Sequence, residues 1–246
     1  MMSFIGNVIN SFFCWIFIAV DTVFWGTISI SSIIYSPRGR VAHFCMRAWS
    51  ASILWFCRIR IRTEGLENID PARVQIFASN HSSHFDIFIL SKVLPVKFGW
   101  VAKSALFKIP FMGWHMKLNG YISVDRSNRE KAIQSMDEAA EKVKRGNRIM
   151  IFPEGTRSRS GELLAFKKGL FHLCVKTGVP IVPIYIKGSY GILKPDTPFI
   201  RPASVCVKIG PEMQTAGHSV EKLEKIMDEL RTRIVALHDQ IESAKS

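Results

Sequence analysis

The fold class predicted by the sequence is an α/β domain with a mainly parallel central sheet flanked by helices, preceded by an apolar N-terminal helical membrane anchor. Three observations predict it. From Arg58 onward, short apolar runs of strand length alternate with helical patterns, the mark of β–α units joined into a parallel sheet. The chain has 246 residues and 48% hydrophobic content, enough for one sizeable core. Phe4 to Tyr35 carries one charged residue, Asp21, and as a helix this run reaches roughly 48 Å against a hydrocarbon core of about 30 Å. The expected division is a membrane-anchoring helical region over residues 1–57 and the α/β domain over residues 58–246.

The apolar run lacks a basic leader and a small-residue cleavage site, so it does not read as a secretory signal. Asp21 costs about 2.5–3.5 kcal/mol at the centre of a span. The run therefore either tilts to bring Asp21 near an edge or bends there and re-enters the same face. Either way the protein is anchored, and Arg38 and Arg40 assign the adjoining segment to the cytoplasmic side of the cell membrane. Val41 to Cys57 is a second apolar helix marked by His43 and Arg47, too polar for a span and suited to an interface. Arg58, Arg60 and Arg62 alternate with Ile59 and Ile61, which gives an edge-like strand with one cationic face.

Strands are predicted over Arg58–Thr63, Val74–Ser79, Phe98–Ala102, Gly120–Val124, Arg148–Phe152, Ile181–Ile186 and Ser204–Ile209. Helices are predicted over His84–Val93, Arg129–Arg145, Lys167–Thr177 and Ser219–Ile241. In the second helix, Ala132, Ile133, Met136, Ala139, Ala140 and Val143 share one face. Ser127 and Glu130 form a capping-box start, and Gly146 marks the stop.

Net charge is +13, which draws anionic partners. Six arginines and no acid lie between Pro37 and Arg62, and five lysines and no acid lie between Asp86 and Asp125. The second stretch interleaves its lysines with Phe98, Trp100, Phe107, Phe111, Trp114 and Tyr121. That composition suits a membrane surface or single-stranded nucleic acid, and the apolar N-terminus favours the membrane over nucleic acid. Lys97 to Tyr121 is therefore the expected contact surface. Cys14, Cys45, Cys57, Cys174 and Cys206 are scattered, which argues against a disulfide framework or a cysteine zinc site.

Asn80-His81-Ser82-Ser83-His84-Phe85-Asp86 follows an apolar strand and opens a helix. His81 and Asp86 meet only if His81 precedes the helix and Asp86 lies in its first turn. The same aspartate also matches a capping box with Ser83. A metal pair of His81 and His84 with Asp86 is the competing reading, and no neighbouring His or Cys completes it. Phe152 to Ser158 is a strand ending in a Pro-Glu-Gly turn, then Thr156, Arg157 and Ser158. Gly155 admits a close backbone approach, and Arg157 offers a phosphate fork. Lys103 closes one strand and Arg126 stands just past another. A parallel sheet gathers His81, Lys103, Arg126 and Arg157 on one rim, a base among cations suited to a phosphate-bearing substrate with a hydroxyl.

These blocks resemble the glycerolipid acyltransferases, the 1-acylglycerol-3-phosphate O-acyltransferase family. N-H-x-x-x-x-D stands at Asn80 to Asp86, G-x-I-x-V-D-R at Gly120 to Arg126, F-P-E-G-T-R-S at Phe152 to Ser158, and V-P-I-V-P-I at Val179 to Ile184. Lys103 with Ile109-Pro110 and Gly113, and Phe166 to Gly169, extend the likeness across Arg58 to Gly210. One departure is that Ser104 and Ala105 stand where many members carry a glutamate.

The resemblance implies acyl transfer from acyl-CoA or acyl carrier protein to the sn-2 hydroxyl of lysophosphatidic acid, with no cofactor and no metal. His81 takes the hydroxyl proton and Asp86 orients it. Arg157, Gly155 and Thr156, with Lys103 and Arg126, hold phosphate, while Asn80, Glu154 and Ser158 support the site. Alternatives are glycerol-3-phosphate or another lysolipid as acceptor, and a metal-dependent hydrolase using His81, His84 and Asp86.

Overall fold

The computed structural model describes residues 4–36, 39–125, 129–217 and 223–243. Along the chain run α1 (Phe4–Ser31), α2 (Arg40–Phe56), β1 (Ile59–Glu64), β2 (Ile76–Ser79), α3 (Phe85–Val93), β3 (Gly99–Lys103), α4 (Met112–Leu118) and β4 (Ile122–Val124). Then come α5 (Arg129–Lys144), β5 (Ile149–Ile151), α6 (Lys168–Thr177), β6 (Ile181–Lys187), β7 (Ala203–Ile209) and α7 (Leu223–Ser243).

The strands form one sheet in the order β1-β7-β6-β2-β5-β3-β4. Every pairing is parallel except β6 with β7. Strands β6, β2, β5, β3 and β4 therefore end on one rim, while β1 and β7 run the other way. All seven predicted strands are present, in an α/β arrangement with a mostly parallel sheet.

Strand β2 shows why a parallel strand reads as continuously apolar: it is buried on both faces. Phe77 packs with Met46, Ile53, Phe85 and Ile89 from α2 and α3. Ile76 and Ala78 point the other way, toward Ala139, Leu170, Phe171 and Ile226 from α5, α6 and α7. In α5 the buried line is Ala139, Ala140 and Val143, whereas Ile133 stays 54% exposed. At 100° per residue, Ile133 falls off the edge of that stripe. The expected capping residue Ser127 lies outside the described residues, as do Arg126 and Arg38.

Helix α4 is an element the sequence pattern does not announce. Seven residues give too short a periodic window, and Pro110 precedes it. Its N-cap, Phe111, has φ 60°. Gly113 is required there, because a β-carbon would stand 2.4 Å from the Phe107 carbonyl oxygen.

Helix α1 runs unbroken through Asp21, so the chain does not bend there. The carboxylate turns inward to α2, where Asp21 Oδ2 accepts from Ser52 Oγ at 2.6 Å. Helix α1 is long and apolar enough to cross a membrane. It is also bound to the domain along its length. Asn10 Nδ2 donates to Ile200 O at 2.9 Å, Trp15 Nε1 donates to Pro198 O at 2.8 Å, and Ser29 Oγ meets His115 Nδ1 at 2.6 Å.

The expected contact surface over Lys97 to Tyr121 needs correction. Phe98, Trp100, Phe107 and Tyr121 are buried core, and Trp114 alone of the six aromatics is largely exposed. Strand alternation and the packing of α2 and α3 take those rings inward. The extended exposed apolar surface lies instead on α1 and α2, where Phe4, Phe12, Phe24, Phe44 and Trp55 are each more than half exposed.

Candidate active site

The site begins where β2 stops. Asn80 extends the sheet by one rung with its side chain: Ile186 N–H donates to Asn80 Oδ1 at 2.7 Å, and Asn80 Nδ2 donates to Ile186 O at 3.0 Å. An amide side chain reproduces a peptide's donor and acceptor, so the main chain is released from β6 at this residue. His81 then takes partners from the loop after β5. Its N–H donates to Glu154 Oε1 at 2.6 Å, and its carbonyl accepts from Ser158 N–H at 2.8 Å.

The imidazole is held on two sides. Its ring stacks on Phe152 with centroids 3.8 Å apart and planes 7° from parallel. Nδ1 lies 2.8 Å from Asp86 Oδ2. The same oxygen accepts the backbone N–H groups of Ser82 and Ser83 at 2.8 and 2.9 Å. Asp86 is fully buried and sits in the first turn of α3, as the five-residue spacing requires. One carboxylate oxygen thus performs two tasks: it closes the turn into α3 and it receives His81. A carboxylate can only accept, so Nδ1 carries the proton and Nε2 presents a lone pair. Among the described residues, Nε2 has no hydrogen-bond partner.

The turn is anchored to the connection between β6 and β7. Ser82 Oγ meets Ser189 Oγ at 2.9 Å, and Ser83 Oγ donates to Leu193 O at 3.3 Å. This connection is the one that α1 grips at Pro198 and Ile200, so the apolar surface and the rim that carries His81 share a support. His84 lies on the surface. Loss of solvation first, and the nearby Arg157 cation second, push its pKa down to about 4. It is a neutral imidazole at neutral pH.

Glu154 is 1% exposed and spends both carboxylate oxygens on backbone: Oε1 on His81 N–H and Oε2 on Leu164 N–H at 2.9 Å. Burial raises its pKa to about 7, opposed by those two hydrogen bonds. Its folded pKa therefore lies above an ordinary value of about 4.5. Such a shift favours the folded state below the unfolded pKa, and that contribution is lost as pH rises through the folded one. Wild type is thus expected to lose on the order of 3 kcal/mol relative to Glu154→Gln between about pH 4.5 and 7. Parallel chemical denaturation curves across that range check this.

Gly155 has φ 70°, a conformation that costs glycine least, and it turns the chain so that Thr156 is exposed. Ser158 is buried and its Oγ accepts from Gly161 N–H at 3.0 Å. Lys103 is exposed at the end of β3. Neither Lys103 nor Arg157 makes an ion pair among the described residues. The order β2-β5-β3 at about 4.8 Å per strand puts the Lys103 end roughly 10 Å from the His81 end. Arg126 lies outside the described residues. The stacking of Phe152 on His81 and the bridge from Asn80 to β6 escape sequence reading. Their only signal is position, Phe152 just before Pro-Glu-Gly and Asn80 just before His81.

Similarity to known proteins falls on the same residues. The sequence model of the Acyltransferase family matches residues 60–187. A 1-acyl-sn-glycerol-3-phosphate acyltransferase from Limnanthes douglasii is 33% identical over 215 residues, which cover 87% of this chain and 76% of that one. The protein of the same name from Saccharomyces cerevisiae is 34% identical over 178 residues, covering 71% of this chain and 58% of that one. The crystal structure of the 1-acyl-sn-glycerophosphate (LPA) acyltransferase PlsC from Thermotoga maritima superposes with a TM-score of 0.82 at 27% identity, covering 98% of this chain and 97% of that one.

Proposed function

The chain belongs to the acyltransferase family, and we propose that it transfers an acyl chain from a thioester donor to the sn-2 hydroxyl of lysophosphatidic acid, giving phosphatidic acid. The observation that carries this reading is His81 Nε2. It stands on the rim with its tautomer set by Asp86, and no protein hydroxyl or thiol among the described residues is bonded to it. The attacking hydroxyl therefore belongs to the substrate.

His81 Nε2 takes the proton of the acceptor hydroxyl as its oxygen attacks the thioester carbonyl. Asp86 stabilises the imidazolium through Nδ1–H, the role of the acid in a Ser-His-Asp triad. The tetrahedral intermediate collapses, the carbon–sulfur bond breaks, and the imidazolium returns the proton to the departing thiolate. Acyl-CoA and acyl carrier protein are both acidic thioesters, and the +13 net charge suits either. The chemistry needs no metal or cofactor.

Arg157, close enough to His84 to depress its pKa, is assigned to the acceptor phosphate together with the Gly155 backbone and Thr156, and Lys103 and Arg126 are assigned there as further cations. A charge-assisted bidentate pair contributes about 1.5–3 kcal/mol. Arg157→Ala is therefore expected to raise the KM for lysophosphatidic acid about 10- to 100-fold, with a smaller change in kcat. Initial-rate kinetics at saturating donor check this. An unchanged KM removes Arg157 from the phosphate site.

The exposed apolar surface of α1 and α2 faces the bilayer in this reading, with the rim at the cytoplasmic interface where lipid acceptor and soluble donor meet. The test is a matrix of lysophosphatidic acid, glycerol-3-phosphate and lysophosphatidylethanolamine against acyl-CoA and acyl carrier protein donors. Lysophosphatidic acid is expected to react fastest with whichever donor is used. A faster reaction with another acceptor replaces it in the assignment.

A further inference from the structure

Two neighbouring residues of α1 hold a single residue of the connection between β6 and β7, residues 188–202. Ile200 N–H donates to Ser11 Oγ at 2.9 Å, and Asn10 Nδ2 donates to Ile200 O at 2.9 Å. Ser11 is buried, and its own hydroxyl donates to Asn7 O at 2.6 Å, which leaves a lone pair for Ile200. At the other end, Gly188 leaves β6 with φ 93°, where a β-carbon would stand 2.8 Å from Ser204 O. That turn delivers Ser189 into the protein, fully buried, with its Oγ 2.9 Å from Ser82 Oγ. Four residues on, Leu193 O accepts from Ser83 Oγ at 3.3 Å.

Between its ends the connection is tied to itself. Arg201 N–H donates to Ile192 O at 2.9 Å, and Ile192 N–H donates to Ser189 O at 3.0 Å. Ile192, Leu193 and Ile200 are buried in the core that also holds Cys14 of α1 and Phe85 and Ile89 of α3. A close-packed segment of this kind transmits displacement instead of absorbing it. Ser82 and Ser83 each face two ways: their N–H groups go to Asp86 Oδ2, and their hydroxyls go to the connection. The oxygen that orients His81 is thus located by the connection, and the connection by α1. A small displacement at that oxygen matters, because proton transfer needs the imidazole within hydrogen-bond reach of the acceptor hydroxyl.

We propose that Ser11 and Ser189 are positioning residues for the reaction, and that the connection between them transmits the seating of α1 to the His81–Asp86 dyad. The inference rests on the reading of His81 as the base. Neither serine touches substrate; each acts through the turn that carries Asp86. The seating of α1 therefore sets kcat, a task beyond anchoring. Ser29, further along the same helix, provides the contrast. Its Oγ meets His115 Nδ1 at 2.6 Å, a buried tie of the same kind that leads to α4 and not to the connection.

The experiment measures initial rates of the full-length protein with lysophosphatidic acid and acyl-CoA, alongside Tm. Ser11→Ala and Ser189→Ala are each expected to lower kcat about fivefold and to leave KM unchanged. The double variant is expected to lose little more than either, because both act along one path. Ser29→Ala is expected to lower Tm as Ser11→Ala does and to keep its kcat. In a His81→Ala background, Ser189→Ala is expected to leave the residual rate unchanged, since the group it positions is gone. Asn10→Ala removes the donor to Ile200 O from a half-buried position and repeats the Ser11 test if Ser11→Ala does not fold. The proposal is overturned if Ser29→Ala costs as much kcat as Ser11→Ala, or if the two losses multiply in full in the double variant. It is also overturned if Ser189→Ala costs as much without His81 as with it, or if Ser189→Ala and Asn10→Ala both keep full kcat. Full activity in His81→Ala alone removes the base itself, a failure told apart from these by that single variant.

Discussion

His81→Ala is expected to lower kcat by about 10²–10⁴, the usual worth of a positioned general base, while leaving the fold intact. The side chain is 12% exposed and its one hydrogen bond runs to Asp86. The backbone contacts to Glu154 and Ser158 belong to the main chain and survive the substitution. The losses are the stack on Phe152 and the base itself. Binding of lysophosphatidic acid is expected to persist, since the phosphate is assigned to Arg157, Gly155 and Thr156 on the loop after β5 and to Lys103 and Arg126, none of which is His81. Single-turnover rates together with acceptor binding by the variant separate the two effects. Full activity in His81→Ala removes the base from the mechanism.

Asp86→Ala is expected to cost both activity and stability. Three donors converge on Oδ2, two of them backbone N–H groups in a fully buried turn. Leaving a buried donor unpaired costs about 1–3 kcal/mol, so a marked fall in Tm accompanies the loss of turnover. Asp86→Asn separates the two tasks. Its carbonyl oxygen can take the place of Oδ2 and keep all three donors, while its amide occupies the position of Oδ1, which has no partner. Stability is then partly restored, because the three donors keep their acceptor while the buried amide lacks one, and the negative charge that steadies an imidazolium is gone. Expected values are a Tm between those of Asp86→Ala and wild type with kcat still reduced at least about tenfold. Equal activity in Asp86→Asn and wild type means that the aspartate is a helix cap only.

The strands are legible in the sequence because each is short, apolar and bounded by turn residues. Burial on both faces makes β2 and β5 continuous, and that continuity implies parallel pairing. The dyad is legible because five residues separate His81 from Asp86 across a strand-to-helix corner. The features that escape such reading are tertiary. Trp100 and Phe107 look like interfacial aromatics among lysines, yet the α2 and α3 side of the sheet needs their volume. The clamp of Phe152 and Glu154 on His81 joins residues more than seventy positions apart, and no local pattern encodes it. Asp21 looks like a break in a membrane helix because its partner, Ser52, lies on another helix.

Initial velocities with both substrates varied test most directly whether His81 hands the substrate hydroxyl to the thioester. Direct attack requires both substrates on the enzyme together, so reciprocal plots are expected to intersect and labelled donor alone to leave no acyl group on the protein. Parallel lines with an acylated protein would contradict it, because a protein nucleophile would then stand between donor and acceptor.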